Sequence, residues 1–141
     1  MSVHSRRPWT FTLINIHTDP DVAEQEVNVL DDVIRRLQSA GVDDDVILLG
    51  DLNVSERHFG DLLVMPNLMW TVTREPTNTR RSQTYDNIVF SGIATSEFSG
   101  VAGVIDLQAE YELTLDEALQ VSDHLPVWAG LRRSKPRPIG L

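Results

Sequence analysis

The sequence contains no cysteine, few basic residues and no long apolar run. The absence of cysteine excludes disulfides, thiolate metal sites and a cysteine nucleophile. Only 12 lysines and arginines stand against 21 aspartates and glutamates, which gives a net charge of −9 at pH 7. That balance excludes a histone-like, generally sticky nucleic-acid binder. No apolar run is long enough to span a bilayer, and the N-terminal segment has no apolar signal-peptide core.

The composition is that of an ordinary globular domain. Of 141 residues, 41% are hydrophobic and 23% are charged, which predicts one compact unit with a sizeable core. We expect an N-terminal extension over residues 1–10, a folded domain over residues 11–131 and a mobile tail over residues 132–141. A bound divalent cation would reverse the acidic charge locally.

Apolar runs alternate with one strong helical pattern. Apolar residues recur at helical spacing between Pro20 and Gly41, which predicts one long helix. Thr114 and Glu117 have the spacing of a capping box and predict a short helix through Gln120. Residues 55–64 predict another short helix. The segments predicted as strands are 9–16, 46–49, 84–91, 101–106 and 125–131. These elements together predict a layered α/β fold.

Polar residues with chemical potential follow the ends of the predicted strands: His17, Asp51 with Asn53, Asp86, and Asp123 with His124. Strand ends in layered α/β folds are where distant parts of a chain converge on one concave surface. Taken singly, each of these residues is more often a turn or structural residue. Taken together, they supply oxygen ligands for a hard cation and imidazoles for proton transfer, which is the chemistry of phosphate-ester hydrolysis.

Spacing gives two expectations about how these side chains meet. Asp51 and Asn53 are two residues apart, so on an extended segment both would point to the same side. If Asp51 and Asp123 approached within about 4 Å, their repulsion of roughly 4 kcal/mol at an effective dielectric of about 20 would raise a pKa or recruit a cation. We expect a cation, and we expect His124 to take Asp86 as its orienting partner.

Four motifs in order resemble the endonuclease/exonuclease/phosphatase superfamily, and within it the deoxyribonuclease I-like branch. The resemblance covers about residues 11–131, including the segment before the last motif that begins Leu107-Gln108-Ala109. The motifs are Asn15-Ile16-His17, Leu49-Gly50-Asp51-Leu52-Asn53, Tyr85-Asp86-Asn87-Ile88-Val89 and Ser122-Asp123-His124-Leu125-Pro126-Val127. The resemblance implies half of a four-layer α/β/β/α sandwich, with a mixed β-sheet and helices on one face.

The resemblance also implies a role for each residue. His17 would contact the scissile phosphate and assist proton transfer. Asp51 and Asn53 would bind metal and phosphate, and Asp123 would bind metal or activate water. Asp86 would orient His124, the histidine of the catalytic pair. The implied reaction is in-line attack of water on a phosphodiester, with DNA as the leading substrate. Mg²⁺ or Mn²⁺ would neutralise the negative charge that develops during the reaction.

The sequence departs from the family in length, because it matches only the C-terminal half. The family's early asparagine, its metal-binding glutamate and the acidic partner of the first histidine belong to the other half, and Glu24 and Glu26 lie on the predicted helix. A half alone would expose a large apolar sheet face. The chain is then a fragment, or two copies pack together, or strands rearrange. The loop Thr77-Asn78-Thr79 resembles the family's calcium loop too weakly to predict calcium.

Three other interpretations stay open at this point. The chain is an inert dimerising or binding module that keeps the motifs, a phosphatase or sphingomyelinase-type member of the superfamily, or a structural domain whose polar clusters are turn residues. His4 and His58 are expected on the solvated surface, and residues 43–45 in a solvated turn. Arg74, Arg80 and Arg81 are equally suited to substrate phosphates and to solubility.

Overall fold

A computed structural model describes residues 9–41 and 44–133 of the chain. His4, Asp43, the predicted extension up to residue 8 and the predicted tail from residue 134 lie outside the described residues. Within the described ranges, no helix is both long enough and apolar enough to cross a membrane.

The described residues form six strands and four helices. The strands are β1 Thr12–His17, β2 Val46–Asp51, β3 Leu68–Trp70, β4 Asp86–Ser91, β5 Phe98–Val104 and β6 Val127–Leu131. The helices are α1 Ala23–Asn28, α2 Leu30–Ser39, α3 Leu107–Tyr111 and α4 Leu115–Val121. Two 3₁₀ turns, Glu56–His58 and Gly60–Val64, follow β2.

The main sheet has the strand order β1-β2-β4-β3. Strands β1 and β2 are parallel, whereas β4 is antiparallel to both of its neighbours. Strands β5 and β6 form a separate antiparallel pair. This arrangement confirms the predicted α/β fold with a mixed sheet, and it is compatible with part of a deoxyribonuclease I-like fold.

The core lies between one face of the main sheet and the helices. A register row of Ile14, Leu48 and Val89 packs with buried residues of α1, α2 and the second 3₁₀ turn, among them Val27 and Ile34. Burying these apolar side chains is the main contribution to the stability of this layer. A smaller cluster of Leu107, Ala118 and Leu125 holds α3 and α4.

The opposite side of the sheet, here the open face, carries no helix from the described residues. Residues paired across strands share a face, so the register defines three rows on it. The rows are Leu13-Ile47-Phe90-Met69, Asn15-Leu49-Ile88 and His17-Asp51-Asp86. Leu13 is 53% exposed and Met69 is 40% exposed, both on edge strands. Between them, Ile47 is 3% exposed and Phe90 is 2% exposed, and the Phe98 ring of β5 lies against Phe90. The large exposed apolar face expected for a half alone is therefore reduced to the two edges of the sheet.

Gly50 allows the last row of the open face to form. Its φ of +136° is a conformation that side chains rarely adopt, and a Cβ there would lie 2.0 Å from the carbonyl oxygen of Ile16 on β1. Any side chain at this position would push β1 and β2 apart immediately before Asp51. The glycine is thus required for the close approach of the two strands that carry His17 and Asp51.

The single long helix expected between Pro20 and Gly41 is wrong, because two helices are present. Val29 separates them with φ −98° and ψ 0°, outside the α-helical region. Beside the break, the Asn28 side chain accepts a hydrogen bond from the Asp61 N–H at 2.8 Å and ties α1 to the 3₁₀ turn. The apolar spacing continues through the break, so the pattern alone gave no sign of it.

Several other local expectations need correction. Residues 55–64 form two 3₁₀ turns rather than one helix, and neither β3 nor α3 was predicted. The 43–45 turn is not fully solvated, because Asp45 is 2% exposed and accepts a hydrogen bond from Trp9 Nε1 at 3.3 Å. The capping box of Thr114 and Glu117 is present at the start of α4, as predicted.

Replacing Gly50 tests the close approach of β1 and β2. We expect Gly50→Ala to destabilise the chain by about 3 kcal/mol or more, since it adds a backbone clash to an unfavourable φ. Gly41→Ala is the matched control, because Gly41 also has a positive φ but nothing within 4 Å of its Cβ position, and it should cost about 1–2 kcal/mol. Urea unfolding followed by circular dichroism measures both. Equal losses would contradict this account of Gly50.

Candidate active site

Three predicted site residues lie in one register row at the edge of the open face. His17 ends β1, Asp51 ends β2 and Asp86 begins β4, and they pair as His17↔Asp51 and Asp51↔Asp86. Because β4 runs antiparallel to β2, its first residue meets the last residue of β2. The row therefore brings together side chains from three distant parts of the sequence.

Asp51 stands between the two histidines. Its Oδ2 atom lies 3.5 Å from His17 Nε2 and 3.6 Å from His124 Nε2. The Asp51 side chain is only 17% exposed, whereas that of His17 is 76% exposed. The residues converge, so the interpretation of these clusters as unrelated turn residues does not hold.

His124 is held by Asp86, as the sequence predicted. His124 Nδ1 lies 2.8 Å from Asp86 Oδ2, and the Tyr85 ring lies beside the imidazole with centroids 5.8 Å apart. A carboxylate on Nδ1 fixes the ring orientation and leaves Nε2 turned towards Asp51. The arrangement is that of an imidazole set up for proton transfer.

The pKa values of Asp86 and His124 are both raised, but for different reasons. Burial raises the pKa of Asp86, and hydrogen bonds from Thr77 and His124 only partly oppose that effect. For His124, burial pushes the pKa down, but the hydrogen bond and charge of Asp86, with the charges of Asp51 and Asp123, outweigh it and raise the pKa. The imidazole thus keeps its proton more readily than a free histidine.

The donor set of this cluster fits a hard divalent cation. Within the described ranges, Asp51, Asp86 and His124 offer ligand atoms that all lie within 4.8 Å of one another. Mg²⁺ is commonly held by one or two carboxylates and several waters, and Mn²⁺ accepts oxygen ligands equally. Asp51 is the best placed, because Asp86 Oδ2 is occupied by His124.

Asn53 lies next to the site in a conformation that the sequence did not predict. The extended segment expected from Asp51 to Asn53 is wrong, because Asn53 has φ +49°. Its backbone N–H donates to Asp51 Oδ1 at 2.9 Å, and its side-chain Nδ2 donates to the Thr18 carbonyl at 2.9 Å. Asn53 therefore closes the turn after β2 and steadies the Asp51 carboxylate. Its predicted contact with phosphate stays a prediction.

Asp123 is not part of the described Asp51, Asp86 and His124 cluster. Its side chain is exposed, and it affects the site through its charge on His124. The carboxylate that Asp51 meets across the register is that of Asp86, not that of Asp123. The metal-binding or water-activating role of Asp123 stays a prediction.

The loop of residues 77, 78 and 79, from which the sequence predicted no function, is named here the Thr77–Thr79 clip, and it joins the segments that carry Asp86 and His124. Thr77 and Thr79 are buried, with 0% and 1% exposure. Asn78 pairs with His124 in an isolated antiparallel β-bridge. The Thr79 hydroxyl donates a hydrogen bond to the carbonyl of Ser122, two residues before His124. Threonines in a polar loop carry no periodic signal, so the pattern of the sequence did not reveal this role.

Asn87 is a second residue whose role was not predicted from the sequence. It is 2% exposed, and its Oδ1 accepts the backbone N–H groups of Thr71 and Val72, each at 3.1 Å. A signal was present, because Asn87 occupies a helix-side strand position where alternation calls for an apolar residue. A polar residue there predicts a buried hydrogen-bonding role.

Of the three arginines in the loop before β4, Arg74 and Arg80 are exposed, and Arg81 has an acidic partner. Arg81 forms an ion pair with Asp106, the residue that caps α3. That pairing favours a structural role for Arg81 over a contact with substrate phosphate.

His58 is exposed and lies 3.9 Å from Glu24, away from the cluster, which agrees with its predicted surface position.

Comparison with known proteins connects this geometry to a family of nucleases. The chain is 31% identical over 140 residues to human deoxyribonuclease-1-like 1, covering 92% of the chain and 46% of that relative. It is 32% identical over 137 residues to rat deoxyribonuclease gamma, covering 89% of the chain and 44% of that relative. The chain is related to the deoxyribonuclease I-like proteins.

The match has a clear extent. The chain spans less than half the length of the curated relatives it matches, and it corresponds to their C-terminal half. No protein-family model matches the chain. The relationship agrees with the resemblance inferred from the four sequence motifs, and it leaves the activity of the chain to be argued from its own residues.

The raised pKa of His124 predicts how stability varies with pH. A histidine whose pKa is raised on folding stabilises the protein below its unfolded pKa, and this contribution is lost as the pH rises through the folded value. In the chain kept in a chelator, we expect the urea unfolding midpoint to fall between pH 6 and pH 8. His124→Asn should reduce this fall, whereas His58→Asn should leave it unchanged. A midpoint that rises over this range in the unmodified chain would contradict the pKa direction.

Proposed function

We propose that this chain hydrolyses phosphodiesters of DNA with the help of Mg²⁺ or Mn²⁺, as the catalytic C-terminal half of a deoxyribonuclease I-like domain. The observation that supports this most strongly is the approach of His17 and His124 to the same oxygen of Asp51. Two imidazoles on either side of one carboxylate supply a proton acceptor and a proton donor around a single reacting centre.

The two histidines divide the proton transfers. His124, oriented by Asp86, takes a proton from the attacking water through Nε2 as the new phosphorus–oxygen bond forms. His17, with its exposed ring at the rim, contacts the phosphate and donates a proton to the leaving oxygen as the second phosphorus–oxygen bond breaks. Asn53 contacts a non-bridging phosphate oxygen, and Asp123 adds negative charge that favours the imidazolium form of His124.

Asp51 holds the cation in this proposal, and Asp86 lies within reach of the same ion. When bound, the cation neutralises charge that develops on the phosphate oxygens. It also makes the binding of a polyanion by a chain with a net charge of −9 less unfavourable, because its two positive charges offset the carboxylates at the site.

The open face indicates what else the activity requires. Leu13 and Met69 are exposed on the two edge strands of this face, whereas Ile47 and Phe90 between them are buried, so the edges of the face are the part left for contact with another element. We propose that this face packs against a second half-domain, which supplies the metal-binding glutamate absent from the described cluster. A second copy of the chain would cover the face equally but would bring no such glutamate.

An inert binding module is the alternative favoured by one observation. The described cluster contains two carboxylates and no glutamate, so the chain by itself has a reduced set of metal ligands. Such a module would bind the metal weakly and would release no product.

Metal binding is the first test. We expect Mn²⁺ to bind the chain in calorimetric titrations, and Asp51→Asn to weaken binding by at least about tenfold, because it removes the best-placed carboxylate. Asp32→Asn is the matched control, since Asp32 is exposed on α2 and far along the chain from the site; it should leave binding unchanged. Equal affinities for the chain and its Asp51→Asn variant would rule out this metal site.

Plasmid nicking in Mg²⁺ tests catalysis. The assay uses the chain alone and the chain joined to the N-terminal half of human deoxyribonuclease-1-like 1. We expect His124→Ala to lower nicking by about 10² to 10⁴-fold, because the proton acceptor is lost, while His58→Ala retains it. Nicking that survives His124→Ala would refute the proposed role. Turnover of sphingomyelin vesicles in place of plasmid would assign the chain to the phosphatase or sphingomyelinase type.

A further inference from the structure

The Thr77–Thr79 clip bonds to the backbone of Asp86 and to the backbone of the residues on either side of His124. On one side, the Thr77 hydroxyl accepts the N–H groups of Tyr85 and Asp86, at 2.8 and 3.0 Å. On the other side, the Thr77 carbonyl accepts the Leu125 N–H at 2.6 Å. Asp86 and His124 are separated by 38 residues of sequence, and Thr77 touches the immediate surroundings of each.

Thr79 reinforces the side of the clip that faces His124. Its N–H donates to the Asp123 carbonyl at 2.8 Å, and its hydroxyl donates to the Ser122 carbonyl at 2.7 Å. Asn78 lies between the two threonines and pairs with His124 in an isolated antiparallel β-bridge, which the hydrogen bonds of Thr77 and Thr79 to the flanking residues form. The clip therefore pairs with residues 122–125 along its length, but only Thr77 also reaches the start of β4.

We infer that Thr77 is a positioning residue, which sets the distance between the Asp86 carboxylate and the His124 imidazole, because its hydroxyl holds the backbone at the start of β4 while its own carbonyl holds the backbone next to His124. The inference rests on the proposed function for its catalytic meaning. Its structural basis is that the Thr77 hydroxyl accepts the backbone N–H groups of both Tyr85 and Asp86 at the start of β4. Buried N–H groups need such a partner.

The alternative is that Thr77 only stabilises its loop. Thr79 separates the two possibilities, because it is equally buried and belongs to the same clip, but its hydroxyl bonds to Ser122 and not to β4. A substitution of Thr79 therefore loosens the loop without freeing Asp86. Valine matches threonine in shape and removes only the hydroxyl function.

Nuclear magnetic resonance of the 141-residue chain provides a readout that does not depend on activity. The His124 ring N–H that faces Asp86 should give a downfield proton resonance protected from exchange. We expect Thr77→Val to abolish this resonance or move it upfield, Thr77→Ser to retain it, and Thr79→Val to retain it even at a similar loss of melting temperature. In the nicking assay, Thr77→Val should lower kcat about ten- to hundredfold with little change in KM.

Each outcome bears on the inference. Retention of the ring resonance in Thr77→Val, or its loss in Thr79→Val, would overturn it. If Thr77→Val does not fold, hydrogen exchange of the unmodified chain decides: slow exchange of the Tyr85 and Asp86 amides supports the inference, and unprotected exchange overturns it. Failure of the nicking assay with the resonance pattern as expected would refute the proposed function alone.

Discussion

The alignment of three strand ends in one register row is the constraint on which the site depends. His17, Asp51 and Asp86 approach one another because β1, β2 and β4 are paired in a single register. Two small groups allow this: the missing side chain of Gly50, which lets β1 approach β2, and the Thr77 hydroxyl, which holds the start of β4. The like charges of Asp51 and Asp86 then meet at the edge, and a cation is the natural means of relieving their repulsion.

Much of this arrangement could be predicted from the sequence, because the relevant signals were local. The β-branched run before His17 and the apolar run before Asp51 each predicted a strand, and polar residues at strand ends predicted a shared edge. The pairing of Asp86 with His124 was expected and is present at 2.8 Å. Four short motifs in order also pointed to the nuclease relatives that comparison then supported.

The parts that escaped prediction depend on tertiary contacts. The apolar residues keep their helical spacing on both sides of the break at Val29, so the hydrophobic pattern does not reveal the break. The turn at Asn53 is held by hydrogen bonds to Asp51 and Thr18, so the extended backbone expected from the two-residue spacing does not form. The Thr77–Thr79 clip owes its burial to residues 122–125, more than forty positions away, a separation that no local pattern can span.

The alternation of the two sheet faces ties the chemistry of this chain to its folding. Neighbouring residues Ile16 and His17 point to opposite sides of β1. A pairing error of one residue between β1 and β2 would turn the imidazole into the helix-packed layer and the isoleucine out to water. Such a chain would lose its hydrophobic layer and its reactive edge together. The register that packs Ile16 against the core is therefore the same register that places His17 beside Asp51, so the stability of the fold also selects the arrangement of the site.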